Sequence, residues 1–342
     1  MDIKGRNEKP VIGILLGDAT GIGPELVAKV AAKGVLTADC FPVIIGDMRV
    51  LRMGVKTAGV DIKTYTIDNI DNADWSLGIP VLDQKDQNPD KITIGKASAY
   101  CGKAVGEMII TTINLYKLGK IDGFCYAPFN KEAIKLAGFK YESEHEFFAD
   151  CFKFAGLSGE MNVSGKLWTS RTTSHIPVKE ISNNLTVKSV MGAIKLANQT
   201  LKRSGIGEPR IGVAALNPHA GENGLCGDEE VNIIIPASEK CRQEGINVLG
   251  VFPADTIFIK AFKGEFDAVV TMYHDQGQIA LKLNQFDHAV TVAAGLPAPM
   301  TTPAHGTAFD IVGKGIARTG AYEHALNMAI SMARYDNMLK YK

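Results

Sequence analysis

"KPVIGILLGDATGIGPELVAKVAAKG", Lys9 to Gly34, carries the reading of the fold. Its first part, through Asp18, is a short apolar run closed by glycine and aspartate, the signature of a buried strand. Its last part, from Gly23, reads as a helix, with Pro24 where a first helical turn tolerates it. The glycines between them fall as G-x-x-x-G-x-G rather than G-x-G-x-x-G, and no P-loop lysine follows. A tight turn with close backbone packing and a phosphate contact are both open at that point.

Working outward, the same alternation continues. "FPVIIGD" is strand, and "YCGKAVGEMIITTINLYKLG" is a long helix with Val105, Met108, Ile109, Thr112, Ile113 and Tyr116 on one face. "IDGFCYAP" is strand, "TVKSVMGAIKLANQTLKRSG" helix, and "PRIGVAALNP" strand. "EEVNIIIPASEKCRQEG" is helix, "NVLGVFPAD" and "FDAVVTMYHD" are strands, and "AYEHALNMAISMARYDNML" closes the chain as a helix. Alternation of this kind predicts an α/β protein with substantial parallel sheet and functional loops at strand ends. The polar, turn-rich stretch 68–96 reads as an excursion. Two lobes are expected, residues 1–130 with 295–342 associated with a cofactor and residues 131–294 binding metal and substrate.

Composition narrows the function. The chain has 342 residues, 46% hydrophobic, with Lys+Arg and Asp+Glu both at 37. Balanced charge offers no field to gather nucleic acid or an anionic membrane. The apolar stretch "VIGILLG" is too short for a signal h-region, and nothing approaches a bilayer span. Cys40, Cys101, Cys125, Cys151, Cys226 and Cys241 show no C-x-x-C spacing and read as reduced thiols of a cytoplasmic protein.

Three of the seven histidines stand where a strand leaves the sheet: His175 in "LWTSRTTSHIPV", His219 in "IGVAALNPHAGENG" and His274 in "AVVTMYHDQG". Imidazoles gathered from separate loops suit a catalytic divalent ion, because three protein ligands leave room for a substrate. Each alone is equally a hydrogen-bonded loop residue. Asp275 and Asp255 ("VFPADTIF") supply carboxylates for orienting ligands or handling protons. "TPAHGTAFDIVGKGIA" places His305, Gly306 and Thr307 ahead of an apolar stretch read as helical, whose first amides can hold a phosphate or an adenine edge. Lys131 follows a strand exit in "APFNKEA", and Lys282 lies beyond His274 in "QIALKL"; both are candidates for substrate contact and, with Asp255, for taking a hydroxyl proton, or for solvent.

Taken in order, "GDATGIGPEL", "APFNKEA", "TTSHIPV", "LNPHAGENG", "FPADTIF", "MYHDQG" and "HGTAFDIVGKGIA" run the length of the chain. It resembles the 4-hydroxythreonine-4-phosphate dehydrogenase family, including enzymes acting on 4-phospho-threonate or erythronate. The last motif is also similar to the cofactor loop of isocitrate and isopropylmalate dehydrogenases. The resemblance implies their two-lobed α/β fold, an active site in the interlobe cleft, and a homodimer that shares it. It makes His175, His219 and His274 the ligands of a divalent ion (Zn, Mg, Co or Mn). Asp255 and Asp275 become site carboxylates, Lys282 a substrate lysine, and His305, Gly306, Thr307 and Ala308 the holders of the adenosine end of NAD or NADP. The chemistry implied is oxidation of a secondary hydroxyl, with loss of carbon dioxide from a β-carboxylate, as in vitamin B6 synthesis.

The sequence departs from the family where substrate is held. The pattern G-H-T-E-F-F reads Ser143, Glu144, His145, Glu146, Phe147, Phe148 here, a substrate asparagine becomes Thr291, and an arginine becomes Met300. A carboxylate gained and a bidentate cation lost disfavour a phosphate dianion, unless Arg171 or His288 compensates. The expectation is retained metal and cofactor chemistry with a different substrate tail, either a differently held phospho-sugar acid or an unphosphorylated hydroxy acid or diol. An acyltransferase of the phosphotransacetylase kind, a metal-dependent hydrolase and a protein that only binds are the competing classes.

Overall fold

The structure, a computed structural model, describes residues 9–285 and 288–340. In chain order it has strands β1 (Val11–Leu15), β2 (Phe41–Gly46), β3 (Thr64–Ile67), β4 (Ile79–Asp83) and β5 (Gly123–Tyr126). Helices α1 (Gly23–Ala32), α2 (Met48–Ala58), α3 (Ala99–Lys117), α4 (Lys131–Leu136) and α5 (Glu144–Phe152) accompany them. Strands β6 (Gly159–Ser164), β7 (Leu167–Arg171), β8 (Ile211–Ala214), β9 (Val248–Phe252), β10 (Ala268–Thr271) and β11 (Val290–Ala294) follow. With them come α6 (Val187–Arg203), α7 (Ile235–Gln243), α8 (Ala254–Phe262) and α9 (His274–Gln285), and β12 (Met300–Pro303) and α10 (Gly320–Lys340) complete the chain. Among the described residues no helix is long and apolar enough to cross a membrane.

Contacts divide the chain into two compact units, Met1–Ala155 with Leu296–Lys342, and Gly156–Gly295. Residues 131–155, assigned on sequence to the metal and substrate lobe, group with the first unit. The cause is close helix packing: a Cβ at Gly102 of α3 would lie 1.8 Å from the Ala133 carbonyl oxygen of α4.

The first unit orders its strands β3-β4-β2-β1-β5-β12, with parallel pairing throughout. β1 is buried at every position, as a strand covered on both faces must be. α1 begins with proline at its first turn, and a Cβ at Gly54 of α2 would lie 2.2 Å from the Pro24 carbonyl oxygen, so the two helices pack nearly backbone to backbone. The stretch 68–96 is more than an excursion: it contains β4, which pairs with both β2 and β3. Its five residues are bracketed by turns and carry Pro80, which hid the strand.

The second unit orders its strands β11-β6-β7-β10-β8-β9. β6 runs antiparallel to β11 and β7; the rest are parallel. Its core sets Leu167, Ala214 and Val269 of the sheet against Ile257 and Phe258 of α8. The helix read from "EEVNIIIPASEKCRQEG" is present, but it opens with a π-helical turn, Glu230–Ile234, before α7. The six cysteines are all free thiols.

Candidate functional site

Parallel pairing decides what the strand exits of the second unit present. β7, β10, β8 and β9 are neighbours in that order and run the same way, so their C-terminal ends share one edge. Adjacent exits are then about 4.8 Å apart at the backbone. Sequence order 175, 219, 255, 274 becomes the spatial order His175, His274, His219, Asp255.

The first two meet. The imidazole centroids of His175 and His274 are 5.7 Å apart, with the rings inclined at 43°. Nδ1 of His274 lies 2.7 Å from Oδ1 of Asp275. With Nδ1–H donating there, Nε2 keeps its lone pair and points away, the arrangement that prepares a histidine to ligate. Two such rings fit a borderline-soft divalent ion. Among the described residues of one chain, no group of three histidine, cysteine, aspartate or glutamate side chains is placed to hold a metal ion.

His219 sits in an unusual turn. Residues 219–223 all have left-handed φ, between 45° and 77°, and only Gly221 among them is glycine. Side-chain-bearing residues adopt that region at a cost of about 1–2 kcal/mol each, so the surroundings must impose it. Buried Glu230, in the π-helical turn, does so by accepting the backbone N–H groups of Leu216 and Asn217, both at 2.8 Å, and Asn217 Nδ2 at 3.0 Å. A Cβ at Gly221 would lie 2.6 Å from Glu230 Oε2, so glycine is required there. Gln276 clamps two exits together, accepting Met272 N–H at 2.8 Å and donating to the Ala215 carbonyl at 2.9 Å. The result is a groove of about 510 Å³ lined in part by Asn217, His219, Asp255, Tyr273, Asp275 and Gln276. Lys282 is exposed near the end of α9, and Thr291 is half-buried on β11, where its Oγ1 accepts from Asn162 Nδ2 at 3.0 Å.

In the first unit three loops converge. Asp18 N–H donates to the Pro128 carbonyl at 3.0 Å, joining the β1 exit to the β5 exit, and Ile22 N–H donates to the Thr307 carbonyl at 3.1 Å. A Cβ at Gly21 would stand 2.7 Å from Thr307 Cβ. Of the two readings left open for this glycine loop, close packing is what the backbone shows. Asp18 is fully buried, its Oδ1 accepting Thr20 N–H and Oγ1–H at 2.9 and 2.7 Å; burial raises its pKa although both bonds oppose the shift.

His305, Gly306, Thr307 and Ala308 do not lead a helix, as the sequence suggested. Turns follow instead, because Ala308, Gly313 and Gly315 have φ of 46°, 77° and 69° and Ile311 and Val312 pack on Ile22 and Leu26. Any cofactor contact there relies on an irregular loop. Lys131 Nζ lies 3.7 Å from Glu144 Oε2, joining the start of α4 to the start of α5, and His145 is half-buried beside it. Met300 is wholly buried on β12, paired with Phe124, and has no surface to offer a substrate. Nor is Arg171 a spare cation: it is bound to Glu160 at 2.8 Å. Gln276 lies within "MYHDQG" but was not singled out, and Glu230, Asn162 and Gln278 carry no motif; sequence reasoning passed over all four.

A family model described as "Pyridoxal phosphate biosynthetic protein PdxA" matches residues 38–329. A Rhizobium meliloti protein provisionally named 4-hydroxythreonine-4-phosphate dehydrogenase 2 is 44% identical, over 98% of this chain and 96% of its own. The D-threonate 4-phosphate dehydrogenase of Cupriavidus necator is 41% identical, over 95% and 97%. Among solved structures, 4-hydroxythreonine-4-phosphate dehydrogenase from Klebsiella pneumoniae superposes with a TM-score of 0.84 at 35% identity, over 95% and 98%. Matches of this extent, on a chain whose strand exits gather histidines and carboxylates, leave one conclusion: the protein is an oxidoreductase belonging to the PdxA family.

Proposed function

We propose that the protein oxidises a secondary hydroxyl of 4-hydroxythreonine-4-phosphate, or of a related four-carbon phospho-hydroxy acid such as D-threonate 4-phosphate. NAD or NADP and a divalent ion serve the reaction. The observation that carries this reading is the His175–His274 pair, 5.7 Å apart, with Asp275 bonded to the second ring. When bound, the ion supplies Lewis acidity toward the substrate hydroxyl and the nicotinamide supplies the hydride acceptor.

The chain's own residues do the rest. Asp275 fixes the His274 tautomer and leaves Nε2 with the lone pair that would hold the ion. Asp255 is exposed on the groove it shares with His219 and Asp275, and it takes the hydroxyl proton. Lys282 holds the anionic end of the substrate, a role Lys131 fills less readily while paired with Glu144. The His305–Ala308 loop, seated on Gly21, holds the adenosine end of the cofactor. A carboxylate β to the new ketone leaves as carbon dioxide. Exposed Ile259 and Phe262 on α8 and Ile279 and Leu283 on α9 support a homodimer, in which a second copy completes the ligand set with His219.

A second reading, an unphosphorylated hydroxy acid or diol, is favoured by Glu144 beside Lys131: a carboxylate at a substrate position repels a phosphate dianion. Reduction of NAD followed by absorbance, over phosphorylated and dephosphorylated four-carbon hydroxy acids, separates the two. Chelator-sensitive reduction with the phosphates supports the main reading; turnover of the free acids alone selects the second. Turnover that ignores chelation defeats both.

A further inference from the structure

We infer that Asn162 and Arg171 are positioning residues that set the separation and orientation of the His175 and His274 rings, and so the affinity of the second unit for a divalent ion. The inference rests on the metal-dependent reading above and adds the residues that tune it.

Arg171 ends β7, and its side chain is only 8% exposed. A guanidinium so deeply placed must spend its N–H groups on protein acceptors. Nε donates to Ser174 Oγ at 2.9 Å, Nη1 to Asn162 Oδ1 at 2.8 Å and Nη2 to Glu160 Oε2 at 2.8 Å. Ser174 is the residue before His175, so one arm of the fork holds the loop from which that ring projects. Asn162 is 6% exposed, and both the oxygen and the nitrogen of its amide are bonded. Besides Arg171, its Oδ1 accepts Gln278 Nε2–H, and its Nδ2 donates to Thr291 Oγ1 at 3.0 Å. Gln278 stands one helical turn past His274 on α9, hence on the same face.

A single amide oxygen thus ties the His175 loop to the His274 helix. Strand ladders already join β6 to β7 and β11, so neither side chain is needed to hold the sheet. A buried ion pair is also a weak source of stability compared with apolar packing. What a planar fork and an amide do well is fix distance and angle, and ligand sets tolerate errors of only about 0.5 Å.

The test uses the full-length protein with cobalt(II) alone, titrated by its visible d–d absorption, and thermal unfolding by circular dichroism in parallel. Arg171→Lys and Asn162→Ala are expected to weaken cobalt binding about tenfold or more and to change the band shape, the range found for outer-shell partners. Asn162→Asp keeps the acceptor oxygens and is expected to restore both. Gln278→Leu cuts the α9 connection without stranding a buried charge, and it carries the test if the arginine variant does not fold. Folded variants with wild-type cobalt affinity and spectrum would overturn the inference and leave these residues a structural role. Wild-type protein that shows no saturable cobalt spectrum would instead remove the metal site itself, and the inference with it.

Discussion

At the scale of single residues, the site depends on side chains whose own positions are held by others. Nδ1 of His274 is held by Asp275, and on the proposed reading the other ring nitrogen is left for a divalent ion. Asp275→Asn therefore leaves the helix intact yet weakens divalent-ion affinity about 10- to 100-fold; titration with cobalt(II), or the dependence of NAD reduction on free metal, measures it. Unchanged affinity would mean the carboxylate does not orient the ring. Gly21 shows the opposite kind of dependence, on a missing atom. Its alanine would place a Cβ 2.7 Å from Thr307 Cβ and 2.9 Å from the Thr307 carbonyl oxygen. Relieving that costs about 1–3 kcal/mol and moves the 305–308 loop. Gly21→Ala is expected to raise KM for NAD while KM for the hydroxy acid stays near wild type. Equal effects on both would place the cofactor elsewhere.

Elements matter where they carry a loop in a conformation it would not choose. The 219–223 turn is the clearest case, and Glu230 is its support, reaching from a π-helical turn to three N–H donors. Glu230→Ala leaves buried donors unsatisfied and destabilises by about 3 kcal/mol, with the loss concentrated in this loop. Hydrogen exchange localises it: faster exchange at residues 215–225 with little change in β1 or β5 is the expected pattern. Uniform acceleration across both units would show that Glu230 supports the whole fold and not the loop.

For the whole molecule, the pH dependence of stability has an identifiable source. Burial, then the negative charge of Asp47, pushes Asp86 up to about 6, from an ordinary 3.8. Asp47 cannot share the proton: although burial raises it, bonds from Arg49 and from the Gln87 and Arg49 backbone hold its pKa down. A carboxyl raised in the folded state holds a proton that the unfolded chain has released. Stability then falls as pH rises from about 4 to about 6, and the penalty persists above that. Asp86→Asn removes this slope and is expected to add about 1–2 kcal/mol at pH 7, the full shift being reduced by partial solvent access. Denaturant titrations at pH 4 and pH 7 check it: the gain appears at pH 7 and not at pH 4. A gain equal at both would assign the effect to packing.

Sequence alone determined most of the local elements and the titratable residues at their ends. Apolar runs closed by glycine, proline or aspartate became strands, and 3.6-residue periodicity became α3, α6 and α10, because burial demands follow the period of the backbone. It likewise singled out His175, His219, His274, Asp255 and Asp275, since a titratable side chain at a strand exit is conspicuous in one dimension. What it did not contain was adjacency. That His274 stands beside His175, with His219 and Asp255 next along the edge, follows from the strand order β7-β10-β8-β9, which no interval in the chain encodes. The supports were hidden for the same reason: Asn162, Glu230 and Gln276 are ordinary polar residues until folding brings donors to them. The burial of Met300 and the irregular turns after Thr307 were also tertiary decisions, made where strand pairing opposite Phe124 and packing against Ile22 and Leu26 outweighed what the local sequence suggested.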